Sequence, residues 1–178
     1  SVNVTDKKVY TWEGVSGVDS LYDTDENWYP VRTNPKQNDI LVVDLGSSNN
    51  SVNTTIDISG VSETIGQFRI YPYNNVTFKC NANTTWTIGP TSGSLTGDDW
   101  VADTSSVIRK SGTGTLDINI KSGNTLDINA DIYNTDGTLL FSGDGTHRVS
   151  GNIYTVGDSL SFNPSSGTTN TLYLDGKD

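Results

Sequence analysis

The chain has 178 residues, 18 of them glycine and none methionine, and a formal net charge of −10 at pH 7. Long runs of helix-forming residues are missing, whereas Thr, Val and Ile suit strands and Gly, Asn and Asp suit turns. The composition therefore predicts one all-β domain spanning residues 1–178. It argues against nucleic acid as a partner, because no basic stripe is present to neutralise phosphates. It also argues against membrane insertion, because no apolar run approaches membrane-spanning length.

The first part of the chain, residues 1–60, is the least periodic. We expect it to form an aromatic N-terminal cap and the first strands, with Trp12 and Trp28 as its largest side chains. Residues 23–27 alternate oxygen-bearing side chains as a Ca²⁺ loop does. However, Trp28 stands where such a loop needs Gly, and Asn34 stands where it needs a bidentate Glu. A loosely bound Ca²⁺ is the one cofactor left open, and a polar turn before a buried Trp28 is the simpler expectation.

Sequons of the form Asn-x-Ser/Thr are concentrated in the first half of the chain. They would carry glycans only in a host that modifies asparagine. The candidate residues are Asn3, Asn49, Asn53, Asn75 and Asn83.

The middle of the chain shows a clear strand pattern. In residues 76–80 the alternation places Cys80 on the same side as Val76 and Phe78, so we expect a small buried side chain rather than a reactive thiol. As the only cysteine, Cys80 cannot form an intrachain disulfide. Trp86 alternates with Ile88 and is expected to face the core.

The second half repeats itself. The run Thr-Leu-Asp-Ile-Asn at 115–119 recurs at 125–129, and related pieces begin at residues 138, 159 and 171. Aligning these pieces gives three apolar columns with steps of 21 to 23 residues. The columns are Leu116, Leu139 and Leu160 with Ile118, Phe141 and Phe162 beside them; Leu126, Val149 and Leu172; and Val107, Ala130 and Ile153.

A constant step across several columns predicts a parallel β-helix, or β-solenoid, with about 22 residues per rung. Within each short strand the alternation directs Leu116 and Ile118 inward and Asp117 and Asn119 outward. We expect the rungs to cover residues 61–178. An antiparallel β-sandwich or jelly roll is the alternative, but it gives no reason for the constant step.

Two stretches of the chain match a known pattern. The matching positions are Trp12 and Gly14, Asn27 and Trp28, Pro30, the Asp and apolar strand at 39–44, and the Lys-x-Gly-x-Gly-x-Leu run at 110–116. In these positions the chain resembles secreted bacterial proteins with autotransporter-associated β-strand repeats. The resemblance implies a right-handed parallel β-helix of a passenger-type protein and carries no catalytic residues.

Candidates for catalysis are few. His147 is the only histidine, and we expect it to be an exposed turn residue. The nearest carboxylate pairs are Asp98 with Asp99 and Asp117 with Asp127, the second pair on a solvated outer face. Nothing in the sequence indicates a cleft that would raise a carboxyl pKa, and a lone His and Cys exclude the common zinc sites. We therefore expect no enzymatic activity.

The function expected from this pattern is structural. The strand at 171–175 is followed only by residues 176–178, without a polar cap, so the chain is either part of a longer protein or meets another copy there. We expect an extracellular or cell-surface stalk, adhesin segment or filament subunit that binds itself end to end. The alternative is a carbohydrate-binding module for surface glycans. Its aromatic platform would comprise Trp12, Trp28, Trp86 and Trp100 with Tyr71 and Tyr73.

Overall fold

The computed structural model describes residues 8–14, 21–37, 39–44, 53–88, 108–156, 159–164 and 171–174. These residues form strands β1 to β17 and one 3₁₀ turn, Asp25–Asn27. In the part of the chain described, no helix has the length and apolar character needed to cross a membrane.

The strands form three sheets. Sheet A contains β1 (Val9–Trp12), β2 (Trp28–Tyr29), β3 (Ile40–Asp44), β6 (Gln67–Tyr71), β9 (Ile108–Lys110), β12 (Ile132–Asn134) and β15 (Ile153–Thr155). Sheet B contains β4 (Thr54–Asp57), β7 (Asn75–Cys80), β10 (Thr115–Ile120), β13 (Thr138–Gly143) and β16 (Leu160–Pro164). Sheet C contains β5 (Ser62–Ile65), β8 (Thr84–Ile88), β11 (Thr125–Asn129), β14 (Thr146–Val149) and β17 (Thr171–Leu174).

Every strand from β3 to β14 pairs with the strand three places later in the chain, and all these pairs are parallel. Each turn of the coil therefore contributes one strand to each sheet. The predicted parallel β-solenoid is confirmed, and the antiparallel sandwich is excluded for the described strands. The first complete rung (β3, β4 and β5) begins at Ile40, within the segment expected to hold the cap and first strands.

The first predicted column is confirmed. Leu116 pairs with Leu139, which pairs with Leu160, and Ile118 and Phe141 follow the same register. Because equivalent inward positions stack directly, these side chains form one continuous apolar interior.

The second predicted column is wrong by two residues. Leu126 pairs with His147, which in turn pairs with Leu172, while Val149 pairs with Ile128. The connection between β13 and β14 is Asp144-Gly145, two residues shorter than residues 121–124 between β10 and β11. A shift of two residues preserves which side chains face inward, so the alternation of the sequence cannot reveal it.

Gly143 explains how the shorter connection turns the corner. Its φ is 84°, in the left-handed region that glycine adopts without strain. A Cβ at this position would lie 2.3 Å from the carbonyl oxygen of Ile120 in the rung before. Only a residue without a side chain fits here.

The third predicted column is also wrong. Ile132, rather than Ala130, pairs with Ile108 and Ile153. Ala130 is buried in the bend before β12, and the third member, Val107, lies outside the described residues. The rung length also varies more than predicted. Residues 89–107 intervene between the second and third rungs, so the pair Phe68 and Ile108 is separated by 40 residues.

One aromatic ring from each sheet fills the coil in the second rung. Phe68, Phe78 and Trp86 lie with their ring centroids 5.3 to 5.5 Å apart. Tyr22, from the segment before β2, packs on Trp86 at 5.7 Å and on Trp28 at 5.5 Å. These contacts join the N-terminal aromatic residues to the core of the coil.

The N-terminal cap is confirmed. β2 pairs with β1 in the only antiparallel pair of named strands described, and it lies at the end of sheet A. Trp12 and Trp28 are buried and pack edge to face at 5.1 Å. Cys80 is fully buried, as predicted, and burial raises the pKa of its thiol.

Adjacent leucines on β13 test which face is inward. Leu139 is fully buried in the interior, while its neighbour Leu140 faces outward and is half-buried. Replacing Leu139 with Ala should lower the free energy of unfolding by about 2–5 kcal/mol, since it leaves a cavity. Replacing Leu140 with Ala should cost less than about 1 kcal/mol. Urea titrations of both variants measure the difference, and equal losses would contradict the assigned faces.

Candidate functional site

His147 is not an exposed turn residue; that expectation is wrong. It lies on β14 at an inward position between Leu126 and Leu172 and is almost fully buried. Its Nε2 donates to the carbonyl oxygen of Ser142 at 3.1 Å, and its ring meets that of Phe141 at 5.2 Å. Nδ1 has no hydrogen-bond partner. Burial lowers the pKa of His147 to about 4, only partly opposed by the hydrogen bond to Ser142, so the ring is neutral near pH 7.

The candidate carboxylate pairs do not form a site. Asp117 and Asp127 lie on sheets B and C, and Asp98 and Asp99 lie outside the described residues. Burial raises the pKa of Asp117, although Ser142 Oγ donates a hydrogen bond to it. Within the ranges described, no group of three or more His, Cys, Asp or Glu residues is arranged to hold a metal ion. This includes the turn at residues 23–27, where the sequence leaves open a loosely bound Ca²⁺.

The three described tryptophans do not offer a platform for sugar rings. Trp12, Trp28 and Trp86 are buried, and Trp100 lies outside the described residues. Of the tyrosines named with them, Tyr73 is exposed and Tyr71 is half-buried.

Three of the five sequons fall on described residues. Asn53, Asn75 and Asn83 are exposed, and Asn3 and Asn49 lie outside the described ranges. Asn83 Oδ1 accepts a hydrogen bond from the backbone N–H of Thr125, in the next rung, at 2.9 Å. Their glycosylation stays a prediction.

A cleft of about 340 Å³ lies between the cap and β5. One wall is the turn at residues 60–63, which leads into β5. The other wall comes from the cap and includes Tyr22, Asp23, Asp25, Trp28 and Arg32.

Three of the residues that line this cleft, Tyr22, Arg32 and Glu63, belong to a buried ionic network. Arg32 Nε donates to Asp39 Oδ2 at 3.1 Å, and Arg32 Nη2 donates to Glu63 Oε1. The hydroxyl of Tyr22 donates to Glu63 Oε2 at 2.6 Å. Burial alone would lower the pKa of Arg32, but the hydrogen bond with Glu63 and the neighbouring charges raise it overall, so the guanidinium stays charged.

Glu63 occupies an inward position, because it pairs with the buried Trp86. An apolar residue there would leave Arg32 with one carboxylate, so the ionic network is part of how the cap closes the coil. Both Glu63 oxygens accept hydrogen bonds within the fold, which leaves neither as a free general acid or base. The sequence analysis missed Arg32, Asp39 and Glu63. The available signal was a carboxylate at position 63, two residues before Ile65, where the alternation calls for an apolar side chain.

At the opposite end of the coil, the last described rung presents apolar side chains. β15, β16 and β17 end their sheets, and among the described residues no strand pairs with their outer edges. Leu160 and Phe162 continue the interior columns but are 42% and 40% exposed. Their partners one rung back, Leu139 and Phe141, are fully buried.

Comparisons of the chain with protein-family profiles, curated proteins and solved structures found no match. The resemblance to proteins with autotransporter-associated repeats therefore rests on the matching sequence positions alone. The proposal below therefore starts from the fold and from these two ends of the coil.

His147 should make the fold sensitive to acid. Since the folded-state pKa of about 4 lies below the ordinary value of 6.5, the stabilisation is fully present above pH 6.5 and is lost as the pH falls toward 4. At pH 4.5 this loss should reach about 2–3 kcal/mol. His147→Leu, which matches Leu126 and Leu172 in its column, should remove it. Urea titrations at pH 7.5 and 4.5 measure the effect, and an unchanged pH dependence in the variant would contradict the assignment.

The buried ionic network should matter more than an exposed ion pair. Glu63→Ala leaves the buried Arg32 with Asp39 alone, and we expect a loss of about 3 kcal/mol in the free energy of unfolding. Lys79 pairs with Asp57 at 3.3 Å but is 46% exposed, so Lys79→Ala should cost under about 1 kcal/mol. Tryptophan fluorescence during urea unfolding reports both variants. A loss in Glu63→Ala no larger than that in Lys79→Ala would contradict a structural role for the network.

Proposed function

We propose that the chain is a non-enzymatic structural or adhesive β-solenoid module of the cell surface or extracellular space. It associates with itself end to end through its open terminal strands. The observation that carries the proposal is the apolar last rung, where the interior side chains Leu160, Phe162 and Leu174 are 40–56% exposed. Unpaired strand edges beside an apolar surface are a template for further β pairing.

The two ends of the coil are unlike, which favours one arrangement. The N-terminal end carries β2 and the buried rings of Trp12, Trp28 and Tyr22. A head-to-tail filament needs a second contact at this capped end. Pairing of two copies through the last rung of each needs no contact at the capped end. A two-fold axis across the coil would pair β15 with the same strand of the second copy, and β16 with the second copy's β17, all antiparallel.

The estimated free energies indicate that the contact between two copies is weak. Completing the burial of Leu160, Phe162 and Leu174, each about half exposed, gives about 1 kcal/mol per side chain. Association costs at least about 4 kcal/mol in lost translational and rotational freedom. Six such side chains are buried when two copies pair, which gives about 6 kcal/mol in all and exceeds that minimum cost by only about 2 kcal/mol. Backbone hydrogen bonds along the three strand edges add to this small margin. We expect a dissociation constant of about 10 μM to 1 mM.

An extracellular setting is supported by composition and surface. The chain is acidic, with a calculated isoelectric point of about 4.3, and it carries exposed sequons at Asn53, Asn75 and Asn83. Buried Cys80 is the only cysteine, so the fold does not depend on disulfides in any compartment.

A carbohydrate-binding module is the second candidate, and one observation favours it. Tyr133 and Tyr154 pair in successive rungs on sheet A, and their rings stack with centroids 4.4 Å apart. Because each ring covers the face of the other, only the face of Tyr154 that points away from Tyr133 is available for a sugar ring.

Two substitutions on β16 test the self-association. Phe162 faces the interior column and Ser161 faces outward, so Phe162→Asp and Ser161→Asp add the same charge to opposite faces of one strand. Sedimentation velocity from about 10 μM to 1 mM should show concentration-dependent association of the unmodified chain and of Ser161→Asp, but not of Phe162→Asp. Leu174→Asp on β17 should behave as Phe162→Asp does, and circular dichroism confirms that each variant is folded.

Electron microscopy of the same samples distinguishes the two arrangements. Pairing through the apolar ends gives paired rods, and head-to-tail association gives filaments. A chain that stays monomeric at about 1 mM overturns the proposal, as does unimpaired association of both Phe162→Asp and Leu174→Asp. Retention by a glycan array that is lost on Tyr154→Ala would support the second candidate.

A further inference from the structure

The strand beside the cleft is an edge strand. β5 pairs with β8 on one side, and among the described residues no strand pairs with its other side. Val61 accepts a hydrogen bond from Thr85 of β8, so the backbone groups of alternate residues, Ser62 and Thr64, point away from β8. Of these two residues Ser62 lines the cleft, so this edge of β5 borders it.

The opposite wall is rigid. Tyr22, Trp28 and Arg32 are buried, and Arg32 ties the cap to Glu63 of β5. The indole N–H of Trp28 donates to the carbonyl oxygen of Tyr22 at 2.8 Å, which fixes the two rings relative to each other. The groove is therefore preformed, and its volume of about 340 Å³ suits a ligand of a few residues.

The charge of the groove is negative. Its lining contains three carboxylates, Asp23, Asp25 and Glu63, and one guanidinium, that of Arg32. Arg32 is already paired with Glu63 and Asp39. Asp23 is exposed and Asp25 is half-buried, and no cation of the described residues pairs with either. Two carboxylates beside aromatic rings attract a cation.

We propose that this groove binds an extended basic peptide segment of another protein. The peptide backbone adds a strand to the free edge of β5, and a Lys or Arg side chain pairs with Asp23 and Asp25 next to Trp28. An anionic ligand would be repelled by the carboxylates. A neutral saccharide would leave both the charge and the strand edge unmatched. The site lies at the capped end and is independent of the self-association proposed for the other end.

The direct test uses the full chain and short synthetic peptides. Acetyl-Val-Lys-Val-Lys-Val-amide should bind with a dissociation constant of about 0.1–1 mM, measured by calorimetry and by the total tryptophan fluorescence of the protein. The same peptide with Glu in place of Lys should bind at least about tenfold more weakly. Raising the salt concentration from about 0.05 to 0.5 M should weaken binding of the Lys peptide.

Protein variants locate the site. The double change Asp23→Asn and Asp25→Asn keeps the shape of the wall and should weaken the Lys peptide about tenfold. Asp127→Asn on sheet C, away from the cleft lining, removes an acidic charge elsewhere and should leave binding unchanged. These carboxylates contribute nothing to the buried network, so both variants should fold normally.

A peptide with N-methyl groups on its central residues separates strand addition from simple charge capture. It keeps the cations but cannot pair with β5, so its binding should be lost. Absence of saturable binding of the Lys peptide at about 5 mM overturns the proposal. The proposal is also overturned if the Glu peptide or the N-methyl peptide binds as tightly as the Lys peptide. It is overturned as well if the changes at Asp23 and Asp25 leave binding of the Lys peptide unaffected.

Discussion

The requirement that equivalent side chains stack directly from rung to rung organises this protein. Each strand alternates, so each rung must place apolar side chains at the same inward positions as its neighbour. The columns through Leu116 and Leu139 and through Ile118 and Phe141 satisfy this requirement, and the interior they form is continuous. Chain length may vary between rungs only where the corners absorb the difference. The two-residue shortening before β14, turned by Gly143, is such an adjustment.

Stacking of this kind has no natural end, so the two ends need separate explanations. At the N-terminal end the protein reverses a strand, fills the coil with aromatic rings and closes it with Arg32, Glu63 and Asp39. At the other end the interior columns reach the last described rung with Leu160 and Phe162 half exposed. One end therefore carries a buried ionic network, and the other presents half-exposed apolar side chains. The two proposed interactions follow from that contrast.

Much of the fold could be predicted from the sequence, since a parallel coil leaves a repeating apolar pattern. Leu116, Leu139 and Leu160 were aligned correctly because they recur at nearly equal steps along the chain. The column through Leu126 was misaligned, since a slip of two residues keeps every side chain on its own face. His147 was placed in a turn because Gly143 and Gly145 precede it closely, although its register puts it in the interior. The ionic network joins residues far apart in the chain, and only the folded cap brings Arg32 to Glu63.

The most direct test of in-register parallel stacking is a disulfide scan between sheet-C strands in a Cys80→Ala background. Asp127 pairs with Arg148 in the structure, whereas the register first inferred from the sequence would place Ser150 opposite Asp127. Directly paired residues on neighbouring strands lie within the Cα separation of about 4.4–6.8 Å that a disulfide spans. The pair of changes Asp127→Cys and Arg148→Cys should crosslink under mild oxidation, detected as a loss of two hydrogens by mass spectrometry. The pair Asp127→Cys and Ser150→Cys should not. Crosslinking of the second pair in preference to the first, or of neither, would contradict the stacking on which the account depends.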